Sequence, residues 1–278
     1  FQAEDGIRDR SPSRGLGDVY KRQPLRRADT TMKLSRIQVL TIATTLSHIQ
    51  FSSAQTTAEY SLEYQASANG INAIATRSLS SEADSSYQLS NKLEASIAGQ
   101  IVATIEQTSN LAPVESTLRP IAYSFVQTGL SQESQAIDYN WEALQAISTE
   151  DGKSWLIELS ENTYDELSHQ FALREQIRQS TQHERNLEFA VIDEDEIENH
   201  HYQIIAKEIV TTPLGTFNST KIERTQSASS TNTTLFWLAD DWHSVLIRME
   251  QTTNSGLTIL LELNGGIVDG LSIEPLLN

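Results

Sequence analysis

The chain has 278 residues, with 20 Lys+Arg against 37 Asp+Glu, a formal net charge of −17, no Cys and 38% hydrophobic residues. Without cysteine there is no disulfide scaffold, thiolate metal site, cysteine nucleophile or lipid-modified cysteine. The acidity argues against nucleic-acid binding, which needs a basic surface to release counterions from phosphate, and no apolar run approaches the roughly 20 residues that span a bilayer.

The N-terminus divides into two segments before any domain begins. Phe1–Asp9 and Ser13–Gln23 resemble the in-frame translation of sequencing-adapter DNA, and residues 1–31 are set aside from fold reasoning as not native. Met32 then opens a short basic stretch (Lys33, Arg36), an apolar run from Ile37 to Ile49 and a small-residue site at Ser52-Ser53-Ala54. That order reads as a secretory signal peptide over 32–54, cleaved after Ala54, so export to a periplasm is expected. Residues 55–278 hold 11 of the basic and 32 of the acidic residues, a net of −21. Such a surface is soluble and repels anionic lipid head groups. The length of this segment suits a single β-rich domain.

From Ala58 onward the apolar residues alternate with period two. Tyr60, Leu62, Tyr64 and Ala66 share one strand face, Asn69-Gly70 supplies a two-residue hairpin turn, and Ile71, Ala73, Ala75 and Leu79 return. Tyr87, Leu89, Leu93 and Ile97 continue the meander, a strand follows over Ile101–Thr108, and the proline-containing stretch Ala112–Pro120 reads as a loop. Ile137, Tyr139 and Trp141 alternate ahead of a turn at Glu150–Lys153, with Trp155, Ile157 and Leu159 pairing back. One helix is predicted over about 163–179, with Thr163 as its cap, Glu166 completing a capping box, and Tyr164, Leu167, Phe171 and Ile177 as its apolar stripe. Leu187–Val191, Tyr202–Ala206, Phe217–Arg224, Leu235–Ala239, Val245–Met249 and Leu257–Leu263 are further strands, and Thr212-Pro213-Leu214-Gly215 suits a type I turn. About eleven strands and one helix predict a mainly β fold, a large antiparallel curved sheet or partly closed barrel around that amphipathic helix.

Catalytic signatures fail for identifiable reasons. Gly152-Lys153-Ser154 has the tail of a phosphate loop, but Ile147 stands where the first glycine belongs. Asp165, Ser168 and His169 invite a triad reading, yet neighbours on a helix point about 100° apart. The acidic run Asp193, Glu194, Asp195, Glu196 and Glu198, followed by His200 and His201, offers oxygen ligands for calcium but lacks the glycine and spacing of an EF-hand loop. A solvated turn explains it equally well, so neither a metal nor a cofactor is expected. The aromatic residues Trp141, Trp155, Trp237, Phe217, Tyr60 and Tyr64 lie on or beside strands and are the candidate ligand-binding set, with ordinary core packing as the bland alternative.

Three segments together resemble a known family. Tyr164-Asp165-Glu166-Leu167-Ser168 with Leu173-Arg174, then Glu208 with Thr211–Gly215, then Phe236-Trp237-Leu238-Ala239-Asp240 before Val245-Leu246-Ile247, are similar in kind and order to the exported bacterial family called domain of unknown function 3108. The resemblance implies a Gram-negative envelope protein with a curved antiparallel sheet and no established reaction. Asp165, Ser168, Pro213, Gly215, Trp237 and Asp240 are then expected in caps, turns and packing. One departure is Ser244, where the family has a proline, which implies a less rigid start to the following strand.

The leading expectation is a non-enzymatic periplasmic protein that holds a lipid or other apolar ligand, or a segment of an envelope partner, inside the sheet. An enzyme acting on an envelope polymer, and a scaffold that pairs through an exposed strand edge, are the alternatives.

Overall fold

The computed structural model describes residues 57–115, 117–179, 186–225, 232–253 and 256–277. The adapter-like segment and the signal peptide lie outside the described residues. The strands, in chain order, are β1 (Tyr60–Ala68), β2 (Ile71–Ser81), β3 (Tyr87–Ile97), β4 (Gln100–Val114), β5 (Thr117–Gly129), β6 (Glu133–Asn140), β7 (Gln145–Glu150), β8 (Lys153–Glu158) and β9 (Thr163–Tyr164). After the helix α1 (Ser168–Gln179) come β10 (Asn186–Asp193), β11 (Glu196–Thr212), β12 (Gly215–Thr225), β13 (Thr233–Ala239), β14 (Leu246–Thr252), β15 (Thr258–Val268) and β16 (Leu271–Ser272). No helix among the described residues is long and apolar enough to cross a membrane.

All sixteen strands form one sheet, in the order β8-β7-β6-β5-β4-β3-β2-β1-β15-β14-β13-β12-β11-β10-β9, with β16 added on β15. β1 and β15 meet in the middle, while β8 and β9, neighbours in sequence, lie at the two outer edges. Connectivity forces the curvature. A flat path of fifteen strands would set its edges about 67 Å apart at about 4.8 Å per spacing. The chain from Glu158 to Thr163 spans at most about 18 Å. The sheet therefore curls until its edges approach, yet β8 and β9 do not pair and it stays open.

Local chemistry sets the hairpins. Asn69-Gly70, Ala98-Gly99, Asp151-Gly152 and Asp269-Gly270 all adopt left-handed φ at both positions (48° and 80°, 50° and 79°, 45° and 83°, 49° and 77°). This double left-handed turn matches strand twist in a two-residue connection. The expected loop at 112–120 is instead the end of a hairpin, with Pro113 opposite Leu118 and Pro120 opposite Leu111 at a bulge. Both prolines fit because the ladder has thinned there. β3 pairs with β4 only as far as Leu111, and β6 pairs with β5 only from Ala122 onward, so neither proline faces a second strand that needs its missing N–H.

The helix is also shorter than predicted. Thr163 and Tyr164 form β9, the one strand that runs parallel to its neighbour, β10. Thr163 caps a turn rather than the helix, its Oγ1 accepting from Ser160 N at 3.0 Å. The helix cap is Asp165, whose Oδ1 accepts from Leu167 N and Ser168 N at 3.0 and 2.7 Å while Ser168 Oγ accepts from Asp165 N at 3.0 Å. This is a capping box two residues later than Thr163–Glu166. Leu167, Phe171 and Ile177 are buried as expected, against the concave side of the sheet.

The family-type motif positions are structural in the ways chemistry suggests. Pro213 and Leu214 form the two-residue link between β11 and β12. Gly215 has φ +146°, and a Cβ there would collide with the Pro275 ring. Asp240 accepts from Thr220 Oγ1 at 2.6 Å and from Lys207 Nζ at 2.8 Å. Ser244 has φ 55° and donates its N–H to Ala239 O at 3.1 Å, neither of which proline could do, so hydrogen bonds fix the approach to β14.

Candidate functional site

Alternation on β1 buries Tyr60, Leu62, Tyr64 and Ala66 and exposes Ser61, Glu63 and Gln65, which fixes the concave face of the whole sheet. Between that face and the start of α1 lies a cavity of about 290 Å³. Its walls are apolar and come from several strands: Tyr64 and Ala66 of β1, Leu93 of β3, Phe236 of β13, Leu246 and Met249 of β14, and Leu261 of β15. Its polar lining includes Arg77 of β2, Arg224 of β12 and, from the helix side, Glu166 and Gln170. A smaller recess shares Tyr64, Arg77, Gln170, Phe236 and Leu246 with it and continues to Tyr60, Phe171 and Arg174.

Arg77 Nη1 donates to Gln170 Oε1 at 2.9 Å, but Arg77 Nε is buried with no hydrogen-bond partner. Gln170 Nε2 in turn donates to the Glu166 carbonyl at 3.0 Å. Arg224 makes no hydrogen bond or ion pair among the described residues. Burial pushes the Glu166 carboxyl up to about 7, with the Arg224 charge pulling the other way. Arg174 stacks over Tyr60 at 4.7 Å and Phe171 at 5.2 Å and pairs with Glu175 at 3.0 Å.

Behind the cavity, the first turn of α1 meets β4, β10 and β11 in a buried polar cluster. Asp165 is fully buried and accepts from Ser109 Oγ at 2.8 Å as well as from the helix N–H groups; burial raises its carboxyl above the usual range. His169 contacts the Asp165 carbonyl through Nδ1 at 3.3 Å and the Tyr202 hydroxyl through Nε2 at 2.8 Å. Neither nitrogen reaches Ser168, so Asp165, Ser168 and His169 make a cap and a brace, not a nucleophile and base. His200 packs edge-on to His169 at 4.9 Å, and its buried Nδ1 has no hydrogen-bond partner. Burial holds His169 well below its ordinary range and His200 down to about 4, with charge from its neighbours adding to both.

Glu166, His169 and His200 are the only described residues able to offer a metal three His or carboxylate ligands, each presenting one ligand atom within 4.8 Å of the others. A tetrahedral zinc site would need those atoms about 3.3 Å apart. Both nitrogens of His169 are already engaged, and the Arg224 cation acts on all three groups. His169 thus ties the helix to the sheet through its two hydrogen bonds, with Glu166 and the unpartnered Nδ1 of His200 beside it. The acidic run that drew attention in the sequence forms the β10–β11 turn, Asp193 opposite Glu196, with its carboxylates mostly exposed. Only His200 of that region turns inward; His201 points outward, 3.8 Å from Glu188.

The aromatic candidates separate into two groups. Tyr60 and Tyr64 line the cavities, and the Tyr64 hydroxyl donates to Leu246 O at 2.9 Å. Trp141, Trp155, Phe217 and Trp237 line neither. Trp141 stacks on Tyr139 at 5.6 Å, and its Nε1 donates to Pro120 O at 2.6 Å. Trp155 packs on the core from the edge strand β8, and Phe217 is buried in β12. Trp237 faces away from the cavity, between Lys221 at 4.9 Å and Arg248 at 5.2 Å, donating to Glu208 at 2.6 Å. Its neighbour Phe236 is the cavity residue. Sequence reasoning missed Phe236, Arg77, Arg224 and Gln170, although their strand parity with Tyr64 carried the signal for the three on strands.

Among curated proteins none matches the chain. Of solved structures, the chain is similar to a beta-barrel-like protein of domain of unknown function DUF1849 from Brucella abortus, at 8% identity and a TM-score of 0.51, covering 76% of this chain and 98% of that one. That likeness shows a shared fold. A "putative lipoprotein" from Parabacteroides distasonis is 12% identical with a TM-score of 0.29 over 75% of this chain and 94% of that one. The profile of the protein family of unknown function DUF3108 matches residues 59–262, nearly the whole sheet from β1 into β15, and the chain belongs to that family.

Proposed function

We propose that the protein is an exported binding protein that holds an apolar ligand on the concave side of its sheet and carries or presents it in the cell envelope. The observation that supports this reading is the cavity of about 290 Å³ between α1 and the strands, walled by Tyr64, Leu93, Phe236, Met249 and Leu261. Small-molecule sites are commonly concave, mostly apolar and furnished with a few polar groups at one end. The signal-like segment 32–54 supports export. An acidic exterior keeps the protein in solution while the ligand is enclosed. The alternative of an envelope-polymer hydrolase loses its best candidates, because Asp165, Ser168 and His169 are committed to capping and bracing α1.

The test is native mass spectrometry of the chain produced with its signal segment in a Gram-negative host and recovered from the periplasm without detergent. A stoichiometric apolar adduct, released by solvent and lost in Phe236→Asp, is the expected result. A clean apo mass, together with failure to take up any added lipid, overturns the reading.

A further inference from the structure

We infer that the cavity is built for a single-chain amphiphile with an anionic head, and that Arg77 and Arg224 are the groups that recognise that head. The inference rests on the apolar-ligand reading and adds the chemistry of the ligand's polar end.

The cavity is an exception to the charge of the molecule. Residues 55–278 carry a net of −21, yet the lining holds two guanidinium groups and one carboxyl, Glu166. That carboxyl neutralises neither arginine fully, because no ion pair within 4 Å joins Glu166 to Arg77 or Arg224 among the described residues. Arg77 keeps a buried Nε–H without a partner. Arg224 is half-buried and makes no hydrogen bond among the described residues. Both charges converge on the start of α1: Arg77 through Gln170, Arg224 beside Glu166, and both depress protonation of His169. A buried donor without an acceptor carries a desolvation penalty. A planar guanidinium meets a carboxylate or phosphate in a two-point, charge-assisted geometry. An anionic head at this end would supply the missing acceptors, and the apolar walls would take the chain.

Carboxylate and phosphate heads share this chemistry, so the test includes both. The full chain is stripped of bound lipid and titrated calorimetrically with dodecanoate, dodecyl phosphate, dodecanol and dodecyltrimethylammonium. At least one anion is expected to bind about tenfold or more tighter than dodecanol, and the cation weakest. Whichever anion binds tighter identifies the head. Arg77→Gln with Arg224→Gln is expected to bring anion binding to within about twofold of dodecanol binding in the same variant, so that the preference is lost. Should that pair fail to fold, Arg77→Lys and Arg224→Lys singly keep the charge, lose the fork and are expected to reduce the preference part-way. Dodecanol binding as well as both anions, or variants that keep the full preference, overturns the role of the arginines and leaves the apolar reading standing. Binding of none of the four overturns the apolar reading itself.

Discussion

Phe236 and Trp237 are consecutive residues on β13 and belong to two different regions of the molecule. On the outer face, Trp237 sits in a ladder of ion pairs: Lys221 lies 3.5 Å from Glu208, and Arg248, though its Nε is buried without a hydrogen-bond partner, lies 3.2 and 3.6 Å from Glu250 and Glu262. On the inner face, Phe236 lines the same cavity as Arg77 and Arg224, neither of which has a carboxylate within 4 Å among the described residues. Every cation of the outer ladder has a carboxylate within 4 Å, which is what a surface needs to be stable and soluble. The inner face leaves cationic capacity open beside apolar walls, which is what a binding site needs and a packed core avoids.

The comparison breaks most sharply on substitution of the larger ring. Trp237→Ala should lower unfolding free energy by about 4 kcal/mol through lost packing, in a denaturant melt, yet leave ligand affinity unchanged. Phe236→Ala should do the reverse in kind, weakening binding of the apolar ligand more than it lowers stability. If Trp237→Ala instead abolished binding in a folded protein, the assignment of the two faces would be wrong.

Asp165→Ala comes next, at about 3 kcal/mol, because it removes two helix-capping bonds and leaves Ser109 Oγ buried without its acceptor. Urea unfolding followed by circular dichroism measures it, and a loss below about 1 kcal/mol would show that the cap is not what anchors α1.

The buried histidines give a smaller effect with a defined sign. His200 stays neutral in the fold down to about pH 4 but protonates near 6.5 when unfolded, so its contribution to stability is lost as pH falls through that window and levels off below it. The stability difference between the wild type and His200→Gln should therefore shrink progressively as pH falls from 7 to 4. Glu166 runs in the opposite sense, its contribution falling as pH rises from 4.5 to about 7, so the difference between proteins, not either curve alone, is the quantity to compare. The smallest effect belongs to the exposed pair of Lys92 with Glu94 and Glu106, where Lys92→Ala should leave the urea unfolding midpoint unchanged within measurement error.

Much of the fold was legible because its signals are local. Asn69-Gly70 and Asp151-Gly152 specify their turns through left-handed φ, and the alternation of Tyr60, Leu62, Tyr64 and Ala66 specifies a buried face without reference to any partner. The stretch 112–120 was misread because a proline is tolerated or not according to whether another strand lies beside it, which the residue itself does not record. The helix start was displaced because Thr163 and Asp165 are both able caps, and pairing of β9 with β10 decided between them. For the site, aromatic identity pointed to tryptophans, whereas parity selected Tyr60, Tyr64 and Phe236.

By itself, then, the sequence determined most strands, several hairpins, the presence of one helix and an acidic exterior, since each depends on neighbours within a few residues; β5 (Thr117–Gly129) was the long strand it did not reveal. Tertiary structure alone brought Arg77, Glu166 and Arg224 to one cavity and set His169 against His200. Those meetings join residues far apart in the chain, and they arise only because a short β8–β9 connection obliges a fifteen-strand path to curl around α1.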